Sequence, residues 1–181
     1  MKNVIVIHGY GETPDSYWYP YLKKELEQKG YKVTIPLLPN TNQPTLKEQS
    51  DFVLKNLEFN EDTILLGHSS GCPVILAVLE QIPAVISKAI LVAGYSTKVK
   101  VLAAGTVNLK DSWDWETIKK HSEEFIFINA DNDPWGCNEE QGELMQKELD
   151  GTLIINHEGH MGSDTYKQPY KQFPFLLTLL D

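Results

Sequence analysis

The feature that most constrains this chain is Gly67-His68-Ser69-Ser70-Gly71. It lies between the apolar run Thr63-Ile64-Leu65-Leu66 and the segment Cys72-Pro73-Val74-Ile75-Leu76-Ala77-Val78-Leu79. A Gly-x-Ser-x-Gly sequence alone carries little weight, because small residues recur by chance. Between a strand pattern and a helix pattern it gains a mechanical meaning. A serine on a sharp strand-to-helix turn sits in strained, crowded backbone, and glycines two before and two after remove the side chains that would clash. Ser69 therefore reads as a nucleophile, against the alternative of an ordinary glycine-rich turn.

The rest of the chain supplies the sheet that such a turn requires. Short, nearly continuous runs of Val, Ile, Leu and Phe occur at residues 3–7, 31–36, 63–66, 89–93, 125–129 and 152–156. Strands buried on both faces have this character, as in parallel sheets. Crossover helices are predicted between them. The first follows Thr13-Pro14, restarts at Pro20 and ends at Gly30. Others are predicted over 45–57, 71–82, 115–120 and 138–149, and a last one, entered unevenly because of Pro169 and Pro174, over 170–180. This alternation predicts an α/β doubly wound fold: a six-stranded parallel sheet with helices on both faces, in one domain over 1–181. Neither a repeat nor a linker-like break divides it.

Ligands of such sheets bind at the carboxyl ends of the strands. Ser69 follows the third run there, His8 and Gly9 the first, Asp133 the fifth and His160 the sixth. A serine hydroxyl needs a base within hydrogen-bond reach, and the base needs an orienting acid. The chain offers the order Ser69, Asp133, His160. Asp133 stands in Asn129-Ala130-Asp131-Asn132-Asp133-Pro134-Trp135, where Pro134 limits the direction of the carboxylate; Asp131 competes for the role. His160 stands between glycines in Asn156-His157-Glu158-Gly159-His160-Met161-Gly162, with His157 as its rival. A developing oxyanion needs donors, for which the N–H groups of Ser70 and Tyr10 are the candidates. The side chains of His8 and His68 read as structural, and Cys72 as a buried small hydrophobe. Trp18, Trp113, Trp115 and Trp135 fall near the active edge and are candidate walls of an acyl pocket, with plain core packing as the alternative.

The remaining totals remove other classes. With 16 basic and 25 acidic residues the net charge is −9, and no basic tract exists, which argues against nucleic acid and anionic membranes as partners. No apolar run approaches the ~20 residues that span a bilayer. The N-terminal run is too short for a signal-peptide core, so a cytoplasmic location is expected. Cys72 and Cys137 could pair only once, and a reducing compartment argues against it. Neither they nor the acids near Asp131 have metal-ligand spacing, so no metal and no cofactor is expected.

With these residues placed, the chain resembles the small serine hydrolases of the retinoblastoma-binding-protein-nine type, within the α/β-hydrolase superfamily. The likeness covers nearly the whole chain. It is carried by Val6-Ile7-His8-Gly9, by Trp18-Tyr19-Pro20 with Leu22 and Leu26, and by Pro36-Leu37-Leu38-Pro39-Asn40. Gly67-His68-Ser69-Ser70-Gly71, Asp133-Pro134-Trp135 and Gly159-His160 complete it. The resemblance implies a three-layer α/β-hydrolase sandwich with a minimal lid. It implies a triad of Ser69, Asp133 and His160, and carboxylesterase-like hydrolysis of small esters, with thioesters within reach. Glu12-Thr13, in the loop expected to hold the oxyanion, departs from the family pattern. Two other classes share these features: a protein-binding module on the same fold, and a peptidase or amidase using the same three residues. The expected partner is a small-molecule ester; a protein partner is left open.

Overall fold

The computed structural model describes residues 2–99 and 107–180. Six strands, β1 (Asn3–Ile7), β2 (Lys32–Thr34), β3 (Thr63–His68), β4 (Ile86–Val92), β5 (Ser122–Ala130) and β6 (Thr152–Asn156), form one sheet. Its order is β2-β1-β3-β4-β5-β6, and every pairing is parallel. The helices are α1 (Tyr19–Gln28), α2 (Leu46–Asn56), α3 (Gly71–Leu79), α4 (Trp115–Lys120), α5 (Glu139–Leu149) and α6 (Pro174–Thr178).

The continuous apolar runs are explained by two cores, one on each face. Val4, Val6, Ile64, Leu66, Ile90, Val92, Ile126 and Ile128 point to one face, where they meet Leu22 and Leu26 of α1 and Leu176 of α6. Their alternating neighbours Ile5, Ile7, Leu65, Ala89, Leu91, Phe125 and Phe127 point to the other, beneath α2, α3, α4 and α5. A strand between two helical layers has no polar face to offer, and so the period-two signal vanishes from its sequence. The α3 helix is buried along its whole length, which matches its all-round apolar sequence.

Some boundaries differ from the sequence expectation. Residues 13–18 form turns, and α1 starts only at Tyr19. Tyr17 has φ +46, which no α-helix accommodates, so Pro14 does not begin a helix. The β2 strand stops at Thr34, two residues before Pro36, which has no N–H for a ladder. The final helix is reduced to Pro174–Thr178, because Tyr170 has φ +37 and Pro174 restricts the residue before it. The connection between β4 and α4 includes residues 100–106, which lie outside the described residues. Among the described residues no helix is long and apolar enough to cross a membrane.

The strand order reverses beside β1. From β1 the chain winds outward to β2, then returns to β3 on the other side. The loops after β1 and β3 therefore open side by side at the carboxyl edge, the usual place for a ligand in such a sheet.

Candidate active site

Ser69 is the first residue past β3 and takes φ +51. Its amide continues the sheet ladder by donating to the Val92 carbonyl oxygen at 2.9 Å. Such a left-handed serine is strained, and it holds only where its surroundings dictate it. The two motif glycines provide those surroundings. A Cβ on Gly67 would stand 2.9 Å from Ile75 Cδ1. A Cβ on Gly71 would overlap the Ile7 carbonyl oxygen and stand 2.8 Å from that of His8, both rigid backbone. Gly71→Ala is therefore expected to push α3 away from β1 and lower the melting temperature by about 2–12 °C, at an overpacking cost of about 1–3 kcal/mol. A thermal melt beside the parent protein checks this.

Asp133 and His160 come from the loops after β5 and β6. His160 Nε2 lies 2.9 Å from Ser69 Oγ, and its Nδ1 lies 2.7 Å from Asp133 Oδ2. The Asp133 side chain is fully buried and that of His160 nearly so. The other Asp133 oxygen accepts the Trp135 N–H at 2.8 Å, so the turn after β5 fixes the carboxylate's direction. The His160 loop is held by side chains. Gly159 donates its N–H to Asn132 Oδ1 at 2.8 Å, and His160 donates its own to Gln168 Oε1 at 2.9 Å. The rival residues pair elsewhere: His157 Nδ1 lies 2.6 Å from Asp131 Oδ1, with both side chains in solvent.

The amides beside Ser69 and in the loop after β1 divide by whether they have an acceptor. The amides of Gly9, Gly11, Glu12 and Ser69 are all taken by acceptors within the chain. Among the described residues those of Tyr10 and Ser70 have none. Ser70 directly precedes α3, and Tyr10 is half exposed, with its hydroxyl donating to the Asn42 carbonyl at 2.8 Å.

The four tryptophans separate. Trp18 was a candidate pocket wall with core packing as the alternative, and the structure corrects the first reading in favour of the second. It is fully buried, donates its indole N–H to the Met161 carbonyl at 3.0 Å, and meets Tyr19 and Phe173 edge-on. Trp113 and Trp115 pack on the core beneath α2 to α5, and Trp113 donates to the Ser96 carbonyl at 2.9 Å. No hydrogen bond or ring contact joins either to Ser69, Asp133 or His160 among the described residues. Only Trp135 adjoins the three residues, its ring 6.4 Å from that of His160.

His8 and His68 flank the site in contrasting states. His8 Nδ1 donates to the Gly9 carbonyl at 3.0 Å, and its Nε2 accepts the Leu38 N–H at 3.1 Å. One donor and one acceptor make a neutral ring, in keeping with burial, which lowers its pKa. His68 is fully buried and belongs to a network the motif search did not find. Its central member is Glu12, which sequence reading noted only as a departure. Glu12 accepts from the Gly9 N–H at 2.6 Å, from the Tyr19 hydroxyl and from His68.

Cys137, Asp133 and His160 place potential metal-ligand atoms within 4.8 Å of one another. The Asp133–His160 hydrogen bond already occupies the imidazole Nδ1 that a cation would need. Burial raises the Cys137 thiol well above its ordinary value, so no thiolate is ready to bind one. Burial does the same to Cys72, which packs as a small hydrophobe.

Known proteins share this arrangement of strands and loops. Residues 4–181 match the serine hydrolase family. YdeN of Bacillus subtilis (strain 168) is 30% identical over 170 residues, covering 90% of this chain and 87% of that protein. The crystal structure of the B. subtilis ydeN gene product superposes with a TM-score of 0.89, at 27% identity, over 99% of this chain and 97% of that one. Serine hydrolase RBBP9 of Rattus norvegicus is 28% identical over 191 residues, covering 98% of this chain and 96% of its own. A carboxylesterase structure from Nitrososphaera gargenis shares the fold at 12% identity, with a TM-score of 0.72 over 99% of this chain and 88% of that one.

Proposed function

The chain belongs to the serine hydrolase family, and from that premise we propose that it cleaves small carboxylic esters, and thioesters of similar size, through Ser69, His160 and Asp133. The observation that carries this reading is the unbroken relay of Ser69 Oγ, His160 Nε2 at 2.9 Å, and His160 Nδ1 to Asp133 Oδ2 at 2.7 Å. In the first half-reaction His160 takes the Ser69 proton as Oγ attacks the carbonyl carbon. Asp133 holds the tautomer in which Nε2 can accept, and stabilises the imidazolium that forms. The Tyr10 and Ser70 N–H groups receive the developing oxyanion. His160 then returns the proton to the leaving alcohol. In the second half-reaction it activates a water that hydrolyses the acyl-enzyme. Every proton in this cycle passes through His160, so the chemistry calls for no cofactor.

The surroundings support a short substrate. A depression of about 590 Å³ between Pro14, Lys23, Lys24 and Ile35 contains none of the catalytic candidates. A shallower one of about 420 Å³, lined by Leu37, Leu38, Asn40, Thr41, Asn42 and Gln43, abuts the Tyr10 loop. The contact is made by the Tyr10 hydroxyl on Asn42 and by the Gly11 N–H on the Thr41 carbonyl at 2.8 Å. Its amide-rich floor suits a small, partly polar ester group better than a long acyl chain.

The expected ranking is p-nitrophenyl acetate and butyrate well above palmitate, with no activation at a lipid interface. Initial rates on the three esters, with and without detergent micelles, test it. A palmitate rate above the butyrate rate would require an acyl channel and overturn this reading.

A further inference from the structure

The proposed mechanism leaves one buried charged cluster beside the site unused. His68 has no exposure, and the Glu12 side chain has 7%. His68 Nε2 lies 2.9 Å from the carbonyl oxygen of His160, and its Nδ1 lies 3.0 Å from Glu12 Oε1. A carbonyl oxygen only accepts, so Nε2 carries a hydrogen. A carboxylate oxygen also accepts, so Nδ1 carries one too. A ring that donates from both nitrogens is an imidazolium. His8, on the other side of the same loop, has one donor and one acceptor and serves as the internal contrast.

We propose that Glu12 and His68 form a buried, net-neutral ion pair that positions the oxyanion loop against the base loop and cancels a negative charge that would otherwise oppose the transition state. Glu12 is the template of the first loop: its carboxylate gathers the Gly9 N–H and the Tyr19 hydroxyl, immediately before the Tyr10 amide. His68 is the clasp, holding Glu12 with one nitrogen and the His160 backbone with the other. A bare carboxylate two residues from an oxyanion donor would repel the oxyanion as it develops. The His68 charge removes that repulsion. Both are positioning residues, acting through Tyr10 and His160, and this role rests on the ester-hydrolysis reading above.

The electrostatic surroundings agree with the geometry. Burial disfavours charge on both groups, yet the Glu12 carboxyl is held below its ordinary value by the His68 charge and by hydrogen bonds from His68, Tyr19 and Gly9. Against the same burial, His68 is held above its ordinary 6.5 by Glu12, with smaller contributions from the His160 carbonyl and Asp133. The other titratable groups facing the pair are Tyr17 and Tyr19, His160 and His8. The Tyr17, Tyr19 and His160 rings lie 6.0, 6.2 and 5.1 Å from the His68 ring, and the charges of Glu12 and His68 act on the neutral His8 in opposite senses. Burial and the Glu12 charge raise the Tyr17 and Tyr19 hydroxyls, so both stay neutral. Since the His68 value is raised, the charged ring persists below it and is lost as pH rises through it.

A double-variant cycle tests the proposal. The terminal amide of a glutamine at position 68 can still donate to the His160 carbonyl, while the positive charge and the bond to Glu12 are gone. His68→Gln is expected to lower kcat by about 10- to 100-fold with KM nearly unchanged. Glu12→Gln combined with His68→Gln removes the stranded carboxylate as well. The double variant should be at least about fivefold more active than His68→Gln alone, and it should lack the alkaline limb expected in the parent kcat/KM profile. A double variant no more active than His68→Gln would overturn the charge-cancelling role. Nitrogen NMR of the unmodified protein keeps the proposal testable if the variants misfold. Both His68 nitrogens should carry protons at pH 7, and an unprotonated Nδ1 there would refute the ion pair. That spectrum requires no turnover, whereas failure of Ser69 to react with a fluorophosphonate would sink the hydrolase site and leave the spectrum standing.

Discussion

Ser69→Ala is expected to abolish fluorophosphonate labelling and to reduce ester turnover by about 10⁶-fold, the scale seen when a triad nucleophile is removed. Ser69 Oγ is the hydroxyl that faces His160 Nε2, at 2.9 Å. Ser70, its neighbour, is buried at the start of α3 and does not share that contact. Alanine has the same Cβ as serine and meets the same cost at φ +51, so the turn keeps its shape and the melting temperature should move little. Peptide mapping after probe treatment is the deciding measurement. Modification of Ser70 with Ser69 untouched would place the nucleophile elsewhere.

The second large effect belongs to the acid. Asp133→Asn should lower turnover by about 10⁴-fold while leaving the fold intact. An asparagine amide can turn its NH₂ toward His160 Nδ1, which then becomes the acceptor. The imidazole proton moves to Nε2 and points at Ser69 Oγ, where a lone pair is needed. Asp131→Asn makes the matching control. Asp131 pairs with His157 in solvent, and an exposed pair of this kind contributes at most about 1 kcal/mol, so activity should stay within about fivefold of the parent. Steady-state kinetics of the two variants give the ranking, and the reverse order would assign the acid to Asp131.

How much of this was legible in the sequence depends on how local each signal is. The six strands could be read because two-sided burial leaves continuous apolar runs. Ser69 could be read because a strained turn demands glycine on both sides within five residues. Asp133 and His160 follow strands and sit in turns marked by Pro134 and Gly159. The failures are non-local. Glu12 acquires its part only by meeting Tyr19, seven residues away, and His68, 56 residues away. Trp18 looked like a pocket wall because it neighbours the site in sequence. Its partner is the Met161 carbonyl, 143 residues on, and nothing within the segment distinguishes an aromatic wall from an aromatic core residue. The late start of α1 was invisible because Tyr17 takes a left-handed conformation that its side chain does not advertise.

The sheet order distributes durability unevenly across the chemistry. Ser69, the proposed nucleophile, directly follows β3, which is zipped between β1 and β4 in the middle of the sheet. His160, the proposed base, follows β6, a rim strand paired with β5 alone and open enough to leave Ile155 half exposed. Rim strands open locally at a lower free energy than the centre does, so the two ends of one proton relay belong to different cooperative units. Warming or mild denaturant is therefore expected to silence the enzyme by unpeeling its rim while the centre still reads as folded. The hydrogen bonds that tie the loop around His160 to Asn132, Gln168 and His68 are thus the fastenings that set how long activity outlasts the first fraying.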